Sequence, residues 1–337
     1  MGENSAGSQL MLARSFLSKA RQKALKNAQS VKNKVDRRLY PDQWTSAVPP
    51  DFLIIGLQKS GTSWVTNLLN RHPQVAVAPS HPGVSKGVHE GHFFDMLSWK
   101  ETDHDRFVRV LKNKHDGYFD DFVGKEGGLA EDAFLAQISQ RYNSFIARMR
   151  TSPNNLAGDK TTEYVFHLDL VDKLYPGIKK ICILRDPRDR TMSFHFHQIR
   201  KGRRDNDEPA LEQIESYCDR LESELRCLLS YQDEIHFLTY EELSKNTSVV
   251  VSSFLTYVGI KADEALIDQL VEAASFERVS GRKQGQADAK SHYRKGVVGD
   301  WKHFFKEEHL AIYARRINPL VERLMAEKNL DLKSYLS

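Results

Sequence analysis

Short apolar runs alternate with stretches of helical periodicity along most of the chain. Continuous apolar runs predict buried strands at 52–57, 75–77, 179–184 and 235–239, with a further strand at 155–158. Apolar positions at helical spacing predict helices near 64–69, 103–113, 131–149, 209–230, 241–258, 263–273 and 306–328. This alternation indicates an α/β fold in which helices cover both faces of a short central parallel sheet, with ligands at the carboxyl ends of the strands.

The first 45 residues predict a separate, basic amphipathic extension, followed by one domain over 46–337. Apolar residues recur at helical spacing among nine Lys and Arg residues, against three carboxylates, which gives this segment a charge of +6. One interpretation is peripheral contact with an anionic membrane surface through residues 10–38. The alternative is a solvated helix docked on the domain. At the other end, the polar and basic stretch 277–300 is longer than an ordinary loop, which favours a functional role.

Composition narrows the classes of function. Of the 337 residues, 40% are hydrophobic and 28% charged, with no apolar run long enough to span a membrane. The three cysteines form no CxxC pair, which is typical of a reducing compartment and predicts a cytoplasmic protein. The net charge is +4, so the chain beyond residue 45 carries about −2. That balance disfavours a general nucleic-acid binder.

A glycine-rich loop follows the strand predicted at 52–57 and precedes a helical pattern. Gly56-Leu57-Gln58-Lys59-Ser60-Gly61-Thr62-Ser63 stands where backbone amides and a helix dipole can bind a phosphate. It is not a Walker A loop, because Thr62 follows the second glycine and the lysine lies inside the loop. We expect phosphate binding of a kind other than nucleoside triphosphate hydrolysis. The alternative is a glycine turn that serves packing alone.

Three separated motifs resemble those of sulfotransferases that use 3′-phosphoadenosine 5′-phosphosulfate (PAPS). Lys59-Ser60-Gly61-Thr62-Ser63-Trp64 is similar to the family's 5′-phosphosulfate loop. The segments 183–194 and 294–302 are similar to its 3′-phosphate signature and to its RKGxxGDWK element. Together the motifs cover residues from about 50 to 305. The resemblance implies a P-loop NTPase-like fold, PAPS as cofactor with 3′-phosphoadenosine 5′-phosphate (PAP) as product, and a hydroxylated acceptor.

The resemblance also implies residues that bind the cofactor. Residues 59–64, namely Lys59, Ser60, Gly61, Thr62, Ser63 and Trp64, would hold the 5′-phosphosulfate, and Phe276 would pack on adenine opposite Trp64. The 3′-phosphate would be bound by Arg185, Ser193, Arg294, Lys295 and Gly296. An arginine fork with a hydroxyl suits a phosphate monoester. The alternative for Arg185 is a structural ion pair with Asp186 or Asp189.

Catalysis requires a base that takes the proton of the acceptor hydroxyl. Glu90 lies in a Glu-Gly-His-Phe-Phe-Asp stretch that resembles the glycosaminoglycan-type branch of the family, where the glutamate is the base. His89 and His92 are rivals, and an ordinary loop carboxylate is the structural alternative. Lys160 lies in a segment similar to a carbohydrate-branch element and would stabilise the reacting centre, unless it is simply a solvated lysine. Lys59 would stabilise charge on the leaving oxygen.

Other classes of function fit these residues less well. His195 and His197 are spaced i and i+2, which do not share a helix face, so no metal site is expected. A kinase, which transfers a phosphoryl group by a related mechanism, is the alternative enzyme class, and the position of Lys59 disfavours it. A membrane adaptor with a degenerate domain is the non-enzymatic alternative. The acceptor stays open among a carbohydrate, a lipid and a small metabolite.

Overall fold

The computed structural model describes residues 48–78, 90–114, 130–150, 152, 155–288 and 291–336. The predicted basic extension at 1–45, its membrane contact through 10–38, and the rival base His89 lie outside the described residues. None of the described helices is long and apolar enough to cross a bilayer.

Five parallel strands form one sheet in the order β2-β3-β1-β4-β5. Their bounds are β1 Phe52–Gly56, β2 Val75–Ala78, β3 Leu156–Lys160, β4 Lys179–Leu184 and β5 His236–Thr239. Four lie where apolar runs predict them, and β3 overlaps the further strand predicted at 155–158. The central strand β1 is flanked by β3 and β4, so the segments that follow these three strands lie side by side at one edge of the sheet.

The strands are connected through helices. The described α-helices are α1 Thr62–Leu69, α2 Phe93–Thr102, α3 His104–Lys114, α4 Glu131–Ala147, α5 Leu168–Leu174, α6 Pro187–Arg200, α7 Leu211–Ser230, α8 Tyr240–Lys245, α9 Thr247–Val258, α10 Glu264–Ala273, α11 Phe276–Ser280, α12 Glu307–Arg316 and α13 Asn318–Lys328. A short 3₁₀ helix covers Asp300–His303. This pattern confirms the predicted α/β class.

Side chains of β1 alternate between two cores, one on each face of the sheet. Leu53 and Ile55 belong to a cluster with apolar residues of α2, α4, α7 and α13. Phe52 and Ile54 belong to a second cluster with residues of α1, α9 and α10. Because consecutive side chains of a strand point to opposite faces, this division shows that helices cover both sides, as predicted.

Two predicted helices are divided, for identifiable reasons. The helix predicted at 241–258 breaks at Asn246, whose φ of −132° and ψ of 50° lie outside the helical region. The helix predicted at 306–328 breaks at Ile317, two residues before Pro319, which stands in the first turn of α13. Proline fits that position because the first helical amides need no acceptor within the helix. The segment predicted as irregular also contains most of α11.

Gly158 offers a test of how tightly β1 and β3 pack. It pairs with Phe52 in the sheet, and a Cβ at this glycine would lie 2.4 Å from the Phe52 ring. The ring in turn makes an edge contact with Phe254, with centroids 5.8 Å apart. Gly158→Ala should therefore destabilise the protein by about 1–3 kcal/mol in urea unfolding, because a buried overlap cannot relax freely.

Phe52→Leu supplies the matched control for this change. The double variant should lose less stability than the sum of the two single variants, because the smaller side chain makes room for the new methyl group. Strictly additive losses would show that Gly158 matters for a reason other than its contact with Phe52.

Candidate active site

A cavity of about 530 Å³ lies at the carboxyl ends of the strands. Its walls come from the β1–α1 loop, the ends of β3 and β4, α6, α10, α11 and the segment 284–297. Among the described residues, its lining contains one carboxylate, Glu90, against six cationic side chains: Lys59, Lys160, Arg185, Arg200, Arg294 and Lys295. A concave wall with this excess of positive charge suits an anionic ligand.

The loop after β1 presents the start of α1 to the cavity. Gly61 caps the helix with φ +92°, and a Cβ there would lie 2.7 Å from the Tyr240 ring, so both conformation and space require glycine. Gly61, Thr62 and Ser63 line the cavity. The first amides of a helix lack acceptors within it, and its dipole is positive at this end. The loop can therefore bind an anion with its backbone.

Lys59 and Ser60 differ in where their side chains lie. Lys59 lines the cavity with φ +67°, and burial, followed by the nearby charge of Arg200, lowers its pKa to about 8. The Ser60 side chain is fully buried, its hydroxyl has no hydrogen-bond partner among the described residues, and it is not part of the described lining. A role for Ser60 in binding would thus fall to its backbone.

Glu90 is held at the end of β3 by two side chains. Its Oε1 accepts hydrogen bonds from Lys160 Nζ at 3.2 Å and from Thr162 Oγ1 at 2.9 Å. Burial opposes the charge of Glu90, but Lys160, His92 and Thr162 outweigh it, so its pKa lies below the usual value. The carboxylate is therefore ionised at neutral pH. Lys160 is only 2% exposed, which contradicts the alternative of a solvated lysine.

His92 lies beside Glu90 and is itself oriented. Its Nδ1 is 2.7 Å from Asp95 Oδ2, and its Nε2 is 3.7 Å from Glu90 Oε2. Its backbone amide donates to Thr161 Oγ1 at 3.0 Å. The geometry thus brings the predicted base and its histidine rival together against the same wall.

Buried Asp159 supports this wall from behind. Its Oδ2 accepts hydrogen bonds from the hydroxyls of Tyr142 and Tyr164, and burial raises its pKa to about 6. A Cβ at Gly91 would lie 2.5 Å from both of its carboxylate oxygens. Gly91 is therefore required for the close approach of the Glu90 segment to β3.

Arg185, at the end of β4, joins α6 to the segment after α11. It donates to the carbonyl of Val297 at 3.1 Å and lies 3.7 Å from Asp189. Asp189 in turn accepts hydrogen bonds from the amides of Gly299 and Trp301. Arg185 thus forms the ion pair expected of a structural residue, with Asp189 as its partner, whereas Asp186 pairs with Arg188. Arg185 also lines the cavity.

The segment 294–296 forms the opposite wall. Arg294 and Lys295 both bind Asp300, and Ser193 of α6 lines the same cavity. Gly296 has φ +70°, and a Cβ there would lie 2.4 Å from the Phe276 ring. This glycine therefore lets the basic segment lie directly against the aromatic ring.

The two predicted adenine neighbours both line the cavity. Trp64 is fixed by a hydrogen bond from its Nε1 to the carbonyl of Ala274 at 2.8 Å, and Phe276 begins α11 two residues later in the chain. Fixed aromatic faces of this kind can pack on a flat heterocycle.

Sequence reasoning did not single out Arg200 and His292, which line the cavity. A signal for Arg200 exists, because Ser193, His197 and Arg200 follow one another at spacings of four and three, which place them on one helix face. His195 points elsewhere, with its Nε2 2.7 Å from the carbonyl of Asn206. Within the described ranges no three His, Cys, Asp or Glu side chains group as metal ligands.

Comparisons with known proteins point to one family. A family model described as a sulfotransferase domain matches residues 49–328. Sulfotransferase 1C2 of Homo sapiens is 29% identical over 98 residues, which are 25% of this chain and 33% of that protein. Sulfotransferase 6B1 of Mus musculus is 24% identical over 165 residues, which are 43% of this chain and 52% of that protein. The matched parts thus span a third to a half of these relatives.

The fold also matches a solved structure, a sulfotransferase from Alicyclobacillus acidocaldarius. The TM-score is 0.52 at 17% identity, and the match covers 86% of this chain and 100% of that one. The resemblance inferred from three sequence motifs is confirmed. Because the family model covers well over half of the chain, the protein belongs to the sulfotransferase domain family.

Proposed function

We propose that the protein transfers the sulfuryl group of PAPS to a hydroxyl of an acceptor. The observation that carries this proposal is the cavity, whose described lining combines six cationic side chains with one carboxylate at the edge of a parallel sheet. PAPS is anionic at both its 5′-phosphosulfate and its 3′-phosphate, so a cavity with this excess of positive charge suits it. The family membership of the chain supports the same reaction.

The residues present fit this cofactor. Lys59 and the amides of Gly61, Thr62 and Ser63 would hold the phosphosulfate. Arg185, Ser193, Arg294, Lys295 and the amide of Gly296 would hold the 3′-phosphate, with adenine between Trp64 and Phe276. Arg185 Nε supports this assignment, because it is buried and has no hydrogen-bond partner among the described residues. Buried donors of this kind are normally satisfied by a partner.

Three side chains would carry the chemistry. When bound, PAPS supplies an activated sulfuryl group, whose bond to the phosphate oxygen breaks as the acceptor oxygen bonds to sulfur. Glu90 would take the acceptor proton at Oε2, since Oε1 already accepts from Lys160 and Thr162. Lys160 keeps Glu90 ionised, and the Lys59 ammonium would stabilise negative charge on the leaving oxygen.

The proposal also covers the domain bounds of the chain and the location of the protein in the cell. We propose that residues 1–45 form the basic extension, that 46–337 form the sulfotransferase domain, and that the protein is cytoplasmic. The thiols of Cys182, Cys218 and Cys227 are unpaired, which supports a reducing compartment. We keep peripheral membrane contact through residues 10–38 as a hypothesis. A kinase or a pure adaptor is disfavoured, because the side chains proposed for sulfuryl transfer line one cavity.

Nucleotide preference tests the cofactor class. PAP at about 100 times its dissociation constant should add roughly 2.7 kcal/mol to the folded state in thermal unfolding. ADP and ATP with Mg²⁺ should give smaller shifts, because neither carries a 3′-phosphate. Arg294→Gln should reduce the PAP shift, whereas Lys302→Gln, an exposed lysine of the same segment, should not. A larger shift with ATP and Mg²⁺ than with PAP would overturn the proposed cofactor.

The base is tested by conservative substitution. Glu90→Gln keeps the size of the side chain but removes its basicity, so kcat for transfer from radiolabelled PAPS should fall about 10²- to 10⁴-fold. The PAP-induced thermal shift should persist. Retained turnover in Glu90→Gln, together with its loss in His92→Gln, would assign the base to His92 instead.

The lowered pKa of Lys59 predicts an alkaline limit. The charged ammonium is the useful form, so kcat/KM for PAPS, which reports the free enzyme, should decline as pH rises above about 8. Lys59→Arg stays charged through this range, so its residual activity should lack the decline. A wild-type profile that is flat to pH 10 would contradict the proposed role of the Lys59 charge.

A further inference from the structure

The cationic side chains of the cavity differ in whether a carboxylate neutralises them. Lys160 is paired with Glu90, Arg185 with Asp189, and Arg294 and Lys295 share Asp300. Among the described residues, Lys59 and Arg200 have no carboxylate within ion-pair distance. The proposed reaction uses Lys59 to stabilise the leaving oxygen but assigns no role to Arg200.

Arg200 is held at the cavity by an uncharged partner. It ends α6, and its Nη2 donates to His197 Nδ1 at 2.7 Å, while both side chains line the cavity. Burial, followed by the charges of Lys59 and Arg200, lowers the pKa of His197 to about 4, so the ring is neutral at physiological pH. The contact therefore orients the guanidinium and leaves its charge uncompensated.

The charge of Arg200 acts at the reacting end of the cavity. Among charged groups, Arg200 has the largest effect on the pKa of Lys59, ahead of Glu90 and Arg185. Arg200 and Lys59 therefore lie close together at the proposed transfer point, where the acceptor hydroxyl must also lie.

We propose that the acceptor is a hydroxy compound that also carries an anionic group, a carboxylate, sulfate or phosphate, and that Arg200 binds this group. An anion beside Arg200 relieves its repulsion with Lys59 and uses a partly buried guanidinium already oriented by His197. A neutral acceptor would leave that charge unpaired, which is costly in a confined site. This inference rests on the proposed function and narrows its acceptor class.

Matched acceptors test the proposal on the full-length protein. Glucuronate, glucose phosphate and glucose sulfate are compared with glucose, and hydroxybenzoate with its methyl ester, by transfer from radiolabelled PAPS. The wild-type protein should favour at least one anionic member over its neutral partner by about tenfold or more in kcat/KM, and the preferred glucose derivative identifies the anion. Equal or better use of the neutral members would overturn the proposal.

Arg200→Gln assigns the preference to this residue. The ratio of kcat/KM for the anionic over the neutral acceptor should fall about 10- to 100-fold. Arg200→Lys should keep part of the ratio. Lys201→Gln removes the same charge at the same helix end from an exposed residue outside the described lining, so it should change the ratio by less than about threefold. An unchanged ratio in Arg200→Gln would overturn the assignment.

Three outcomes separate this inference from the proposed function. An equal loss with both acceptor classes in Arg200→Gln would show that the arginine acts on the transferred sulfuryl group and would overturn its role in acceptor choice. Transfer to none of the anionic acceptors by a protein that PAP still stabilises would overturn the anionic-acceptor proposal and leave the cofactor class standing. Failure of PAP to stabilise the wild-type protein would overturn the proposed function itself.

Discussion

The concentration of positive charge at one edge of the sheet is the constraint on which the site depends. Six cationic side chains line one cavity, and such groups repel one another unless carboxylates or bound anions lie between them. Carboxylates next to the cations offset part of this repulsion. Asp189 and Asp300 bind the basic groups of one wall, and Glu90 pairs with Lys160 on the other. The phosphosulfate of the cofactor would neutralise the charge of Lys59, which leaves the charge of Arg200 for an anionic group of the acceptor.

Buried carboxylates also fix the shape of the cavity. Asp189 connects the end of β4 to the segment after α11 through the amides of Gly299 and Trp301. Asp159 plays the equivalent part behind Glu90, where Gly91 leaves just enough room for it. Removing either carboxylate would therefore alter both charge and geometry. This coupling explains why polar groups with pKa values shifted by burial collect around the site.

Much of this arrangement is visible in the sequence, and the rest depends on contacts between distant residues. The apolar runs of β1 and β4 predict both strands and thereby the position of the loop at Lys59 and of Arg185. The apolar periodicity continues across Asn246 and across the boundary between α12 and α13. It therefore predicts one helix at each place where the structure has two. The approach of Gly91 to Asp159 spans 68 positions and leaves no local pattern. Arg200 was detectable from its helical spacing after Ser193, but the missing carboxylate that singles it out required the structure.

A crystal structure with PAP tests the account most directly, because it reports which anionic group of the nucleotide meets which cations. The account predicts the 5′-phosphate on the amides of residues 61–63 beside Lys59, and oxygens of the 3′-phosphate within hydrogen-bond distance of Arg185 and Arg294. A nucleotide bound in the reverse direction, or outside this cavity, would contradict the assignment of these residues to the two phosphate groups.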